Sequence, residues 1–311
     1  MNLRFVEAFY WVASLQSVSR AAEKMFLTQS AMSSRISALE RELGVLLLDR
    51  REKQFRLTLA GVRFYDYAQR LLALQGEMKS VMGAEAKLSG SLRIGAIESV
   101  LHSWLVPWLE RLRETHPDLS LELSVDTTPT LIDQVNRGTQ DLVFAAWPAT
   151  GEAVLTRALP AMPMAFIGHR QVHKRRRYTL AQLADVEILT FQRGSQPHVS
   201  LMDQFARAQI SPKRVHTISS ISAMAQLVQG GFGIATLPLQ AVTDRQSFPA
   251  LRALPCDSAL EPLPIHASYR EDPTSRAVQT LLESAVAFVS GTASHPHRAP
   301  ASASSSKKLM T

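Results

Sequence analysis

Apolar residues recur at steps of three and four from the start of the chain. Leu3, Val6, Phe9, Tyr10 and Ala13 build one helix with one apolar face. Ser17 and Ser19 stand where a second, short helix over 20–25 would be capped, and Ala21 and Ala22 let it pack closely. Thr28 is a good N-cap for a third helix over 29–43, whose apolar Met32, Ile36, Leu39 and Leu43 share a face. Ser30, Ser33, Ser34, Arg35 and Arg41 fall away from it. Two apolar stretches, 46–48 and 55–57, then flank a mostly basic tip and read as a two-stranded wing.

A capped helix that presents Gln, Ser and Arg in its first half after a tight turn suits reading of a DNA major groove. Gln29 can pair bidentately with adenine, and Arg35 can address guanine or a phosphate. Ser30, Ser33 and Ser34 lie near the helix start, where hydroxyls and free amides suit phosphate oxygens. Arg50, Arg51, Lys53 and Arg56 can reach the adjacent minor groove or backbone. A generic three-helix bundle with a solvated polar face would carry a similar pattern. The formal net charge of +7 favours an anionic partner and weighs toward nucleic acid.

The order and spacing are more specific than the pattern. Phe9, Ser17, Ala21-Ala22, Gln29-Ser30-Ala31, Ser33, Ile36, Leu39-Glu40, Leu43-Gly44, Leu47, Arg50, Leu57-Thr58 and Ala60-Gly61 resemble the signature of LysR-type transcriptional regulators over residues 2–62. The chain departs from it at Ser30, where the family usually has Pro, at Ser34, where a longer polar or basic side chain is usual, and at Leu48, where Phe is usual. Ser34 shortens one base contact, which bears on operator preference and not on binding as such. The resemblance implies a winged helix-turn-helix over 1–58 that binds double-stranded DNA.

Residues 59–88 contain no proline, and Phe64, Ala68, Leu71, Gln75, Met78 and Met82 alternate by four and three. Such a heptad series closes a seam between two helices; a helix lying on its own domain would also fit. The family resemblance implies the former, a linker that pairs two chains into a homodimer, with homotetramers common.

From Ser91 onward strand and helix signals alternate, as in α/β units. Region 91–290 resembles the family's effector domain, two α/β lobes similar to periplasmic binding proteins. Chain order places lobe one at 91–163 and 267–290 and lobe two at 164–266. Ligands bind where the C-terminal ends of strands meet a cleft. That rule selects Ser99, Thr127, Thr128 and Trp147 in lobe one, and Gln192, Arg193, Ser195, His198 and Ser222 in lobe two. Hydroxyls, helix N-termini and the Arg193 fork suit an anionic or strongly polar small molecule, although Ser and Thr after strands also serve as ordinary caps.

Remaining features narrow the class. Hydrophobic residues make up 46% of the chain and charged residues 20%, the balance of a globular protein. A single cysteine, Cys256, allows neither a disulfide nor a thiolate zinc site within one chain. Gly230-Gly231-Phe232-Gly233 follows a helix and not a strand, so it fails as a dinucleotide loop. Ser195 lacks the flanks of a nucleophile elbow. No metal, cofactor or catalytic role is expected, and the regulator reading stands against a solute-binding protein or an enzyme. No export signal or apolar span is apparent, so a cytoplasmic protein is expected. The basic run 169–177 reads as a solvated loop in preference to a second DNA patch. The Ser/Ala/Pro-rich tail, 291–311, is expected to be disordered.

Overall fold

A computed structural model of the chain describes residues 1–49, 55–81, 90–151, 153–242 and 248–293. The first domain contains α1 (Leu3–Leu15), α2 (Val18–Lys24), α3 (Gln29–Leu43), β1 (Leu48–Asp49) and β2 (Arg56–Leu57). The expected caps form: Ser17 Oγ accepts from the Arg20 amide at 3.3 Å and Thr28 Oγ1 from the Ala31 amide at 3.2 Å. β1 and β2 pair antiparallel as the two sides of a wing. Phe9, Trp11, Met32, Ile36, Leu39 and Leu47 fill the core between these elements.

α4 (Leu59–Val81) leaves the wing with Thr58 Oγ1 accepting from the Gly61 amide at 3.0 Å. Its first turns belong to the first domain: Phe64 packs edge-on against Phe9 at 5.3 Å between ring centroids, and Ala68 and Leu72 are buried. Half of the heptad series is therefore spent on the chain's own core. Tyr67, Leu74 and Met78, seven and four residues apart, remain exposed on another face.

Lobe one is built on β3 (Gly90–Ala96), β4 (Leu119–Val125), β5 (Leu142–Ala145), β6 (Val154–Met162) and, from lobe two's far end, the returning β12 (Leu263–Arg270), in the order β4-β3-β5-β12-β6. β3, β4 and β5 are parallel, and β12 runs antiparallel to both neighbours. The return to this sheet comes at Leu263, four residues before the expected boundary at 267, because Leu263 and Ile265 are already inward-facing strand residues. Three helical stretches pack on it: α5 (Glu98–Val100), running through a π turn at Leu101–Leu105 into α6 (Val106–Thr115); α7 (Thr128–Arg137); and, after lobe two, a final helix, Ala277–Ala293. Pro107 lacks the N–H that regular α geometry would require at the π turn. Trp104, Trp108 and Phe144 meet edge to face at the centre of this core.

Lobe two is built on β7 (Met164–His169), β8 (Glu187–Thr190), β9 (Arg214–Thr217), β10 (Ile234–Pro238) and β11 (Leu251–Ala253), ordered β11-β7-β10-β8-β9. Its helices are α8 (Leu180–Ala184), α9 (Gln196–Arg207) and α10 (Ile221–Gln229), so the final helix, Ala277–Ala293, is α11. Pro163 alone separates β6 of one sheet from β7 of the other, and the chain recrosses over 254–262.

The first domain rests on the end of lobe one. Lys24 pairs with Asp141, and Arg93 Nη2 donates to the same carboxylate at 3.0 Å and to the Gly138 carbonyl at 2.9 Å. Arg270 donates to Ser14 Oγ at 2.9 Å and to the Asn136 carbonyl at 2.6 Å. Burial pushes the Asp141 carboxyl up, but Lys24 and then Arg93 outweigh it and hold it below the usual carboxylate range.

Candidate DNA-reading face and effector cleft

α3 has 15 residues and is therefore about 22 Å long. Met32, Ile36 and Leu39 lock one side into the core, which turns the opposite side outward. Ser30, Ser33 and Ser34 are exposed, Gln29 is exposed in the first turn and Arg35 is half-buried, so the structure brings all five onto one end of the helix. Ser30 Oγ and Thr28 Oγ1 share a hydrogen bond at 3.0 Å. Arg50, Arg51 and Lys53, expected at the wing tip, lie outside the described residues, as does the 82–88 end of the linker.

Glu40, which the sequence offered only as part of the family signature, is a positioning residue. It is 5% exposed, and its Oε1 accepts from the Leu47 and Leu48 amides at 2.9 and 3.1 Å. The wing thus hangs from the back of the reading helix. A charged residue inside an otherwise apolar face was the available signal.

Between the lobes lies a cleft of about 440 Å³, within the usual range for a small-molecule site. Of the expected residues, Ser99, Thr127, Thr128, Trp147, Gln192, Arg193 and Ser195 line it. His198 and Ser222 do not. His198 sits one helical step past the rim, where burial and then Arg193 push its imidazole below the ordinary histidine value. Ser222 Oγ lies 3.4 Å from His102 Nε2, on the lobe contact beside the cleft. Sequence reasoning missed the apolar lining residues Ile97, Val125 and Leu263, together with Glu98 and Asp126.

Two helices start at this cleft without a side-chain cap. Thr127 precedes α7 and its hydroxyl shares a hydrogen bond with Thr130 Oγ1, while Ser195 precedes α9 with its Oγ buried and unpartnered. Both leave backbone amides and a positive dipole end directed at the same space. Glu98 crosses from lobe one to the start of α10, where Ser220 Oγ donates to it at 3.2 Å. Burial raises this carboxyl, yet His102, the Ile221 amide and Ser220 together hold it below the usual range. The far end of α7 carries Asn136, whose carbonyl accepts from the Arg270 that also holds Ser14 of the first domain, and Gly138, against which Leu15 of that domain lies.

Among the described residues no cluster of His, Cys, Asp or Glu could hold a metal ion, and no helix is long and apolar enough to cross a membrane. Two family models match the chain in order: a bacterial regulatory helix-turn-helix protein of the lysR family over residues 3–62, and a LysR substrate binding domain over 85–289. The HTH-type transcriptional regulator BudR of Raoultella terrigena is 29% identical over 290 residues, 91% of this chain and 99% of that protein. The HTH-type transcriptional regulator BenM of Acinetobacter baylyi is 28% identical over 250 residues, 76% of this chain and 80% of that protein. The crystal structure of full-length BenM matches with a TM-score of 0.55 at 25% identity, covering 94% of this chain and 98% of that one. With a helix-turn-helix and wing at one end, a two-lobed domain at the other and both regions matched by the family's own models, the chain belongs to the LysR family of DNA-binding transcriptional regulators that respond to a small-molecule effector.

Proposed function

We propose that the chain reads its operator through Gln29, Ser30, Ser33, Ser34 and Arg35, with the wing-tip residues Arg50, Arg51 and Lys53 on the adjoining backbone. The outward polar face of α3, held by an apolar face locked in the core, supports this assignment. It acts in the cytoplasm as a homodimer paired along 59–88, and two such dimers form the tetramer. The exposed Tyr67, Leu74 and Met78 supply an apolar stripe for that pairing.

The effector binds between the lobes and carries an anionic end on an apolar body. The observation that carries this is the pair of helix starts, α7 and α9, that face one cleft without side-chain caps. An anion there gains two dipole ends and the Arg193 fork, while Trp147, Phe191 and Ile97 cover the apolar part. A ligand that prefers one closure of the lobes shifts the population toward it. α7 is about 15 Å long and joins Thr128 in the cleft to Gly138 under the first domain. A ligand that draws on the Thr128 end of α7 therefore biases the seat of the DNA-reading head at the Gly138 end.

Thermal-shift screening against small carboxylates tests the cleft: a stabilising hit should lose its effect in Arg193→Ala and Thr128→Val. Survival of the shift in both variants would move the site elsewhere. Mobility shift with the promoter of the protein's own gene tests the head, where Gln29→Ala and Arg35→Ala should each weaken binding.

A further inference from the structure

The basic run 169–177 takes no part in either site above. It is a folded loop and not a loose one. The Arg170 amide donates to the Ala250 carbonyl at 2.7 Å, the His173 amide to the His169 carbonyl at 2.8 Å, and the Arg175 amide to Tyr178 Oη at 3.3 Å. β11 lies alongside, with His169 opposite Leu251 and Gly168 opposite Arg252. Pairing of the strands thus brings a further arginine to the loop.

Arg170, Arg176 and Arg252, with Ala253 and Pro255, line a recess of about 450 Å³. Backbone oxygens orient two of the guanidinium groups: Arg252 Nη2 donates to the Arg175 carbonyl at 2.6 Å, and Arg170 Nη2 to the Leu251 carbonyl at 3.2 Å. Among the described residues, none of Arg170, Lys174, Arg175, Arg176, Arg177 and Arg252 is paired with a carboxylate. Arg252 Nε is buried with no acceptor. His173, buried beneath the loop, is pushed below the ordinary histidine value by burial, which outweighs its hydrogen bond to the His169 backbone, and the nearby charges of His169 and Arg252 push the same way as burial.

Like charges held together without counter-charge repel one another and raise the local potential for anions. Guanidinium forks match phosphate oxygens bidentately and keep their charge at any physiological pH. Three of them around one concavity exceed what a single carboxylate can neutralise. A duplex presents its phosphates along a rod, whereas three guanidinium forks around one shallow, open recess match the adjoining phosphoryl groups of one compact ligand. We propose that the recess of Arg170, Arg176 and Arg252 on lobe two binds a compact oligophosphate, such as the di- or triphosphate group of a nucleotide, independently of the effector cleft.

Calorimetric titration of the full chain with inorganic tripolyphosphate, in about 150 mM salt to screen diffuse attraction, tests this. One saturable site per chain is expected, and Arg176→Gln should weaken it about tenfold. Arg176 is exposed and makes no described hydrogen bond, so the variant keeps the fold. Arg176→Lys, which keeps charge but not the fork, should fall between, and Arg193→Ala in the cleft should change nothing. Absence of saturable binding, equal affinity in Arg176→Gln, or equal affinity for sulfate would overturn the proposal. So would loss of non-operator duplex binding in Arg176→Gln with no tripolyphosphate binding in the parent, which would assign the recess to DNA.

Discussion

Leu15 of the DNA-reading domain lies against the α-carbon of Gly138 at the end of α7. A β-carbon at 138 would stand 2.7 Å from Leu15 Cδ2, and the backbone there has φ +74°. Gly138→Ala therefore meets two costs. The left-handed conformation alone costs a residue with a β-carbon about 1–2 kcal/mol, and Leu15 must also give way. Melting of the variant should come roughly 3–8 °C below the parent, and limited proteolysis should release the first domain sooner. An unchanged melting temperature would mean the contact is absent in solution.

Asp141 compensates two buried or half-buried cations, Lys24 and Arg93. Asp141→Asn leaves both with a neutral acceptor, and breaking one side of such a group costs about 3–5 kcal/mol. The pH dependence has a definite sign. A carboxylate held below its unfolded value contributes stability that is fully present above about pH 4 and is lost as pH falls through the folded value. The gap between parent and variant in denaturant unfolding should thus stay level from pH 7 to 5 and close only in stronger acid. A gap that closes between pH 7 and 5 would show that another group carries it.

Removal of the Glu40 carboxyl leaves two buried amides, of Leu47 and Leu48, without their acceptor. Glu40→Ala should cost about 2–4 kcal/mol, roughly 1–3 for each orphaned donor less what water recovers. Its second effect is the diagnostic one: operator affinity should fall even at temperatures where the variant is fully folded, because the wing has lost its tether. Quantitative mobility shift on folded protein measures it.

Arg35 and Gln29 should differ in kind. If Arg35 meets a phosphate, Arg35→Ala weakens all sequences alike and lowers the slope of log affinity against log salt by about one. Gln29→Ala should leave that slope unchanged and relax selectivity at one base pair. Titration of operator and scrambled duplexes at several salt concentrations separates the two.

Much of the first domain was legible because its residues specify structure locally. Thr28, Ser17 and the three-and-four spacing of Met32, Ile36 and Leu39 each constrain a helix without help from distant sequence. The cleft was legible in outline, since Ser99, Thr127, Trp147 and Arg193 follow strands that chain order alone identifies. What escaped is long-range. β6 alternates poorly and pairs with β12, whose Tyr269 and Leu263 are more than 100 residues away. Phe64 and Ala68 keep heptad spacing yet turn inward, because Phe9 reaches them from the other end of the domain. Asp126 and Glu98 carry no spacing signal, and only the approach of the two lobes makes them lining residues.

Pro163 has a consequence for how the lobes can move. It is the whole of the link between β6 and β7, and its ring fixes φ near −65°. Its carbonyl also accepts from the Leu239 amide at 2.9 Å, which ties the bend to the end of β10. A joint so short has no slack to let the sheets slide or drift apart. Motion at this crossing is a swing through an angle, with Met162 and Met164 on either side of the axis. A ligand held at one wall of the cleft would therefore turn the lobes about this crossing and not part them.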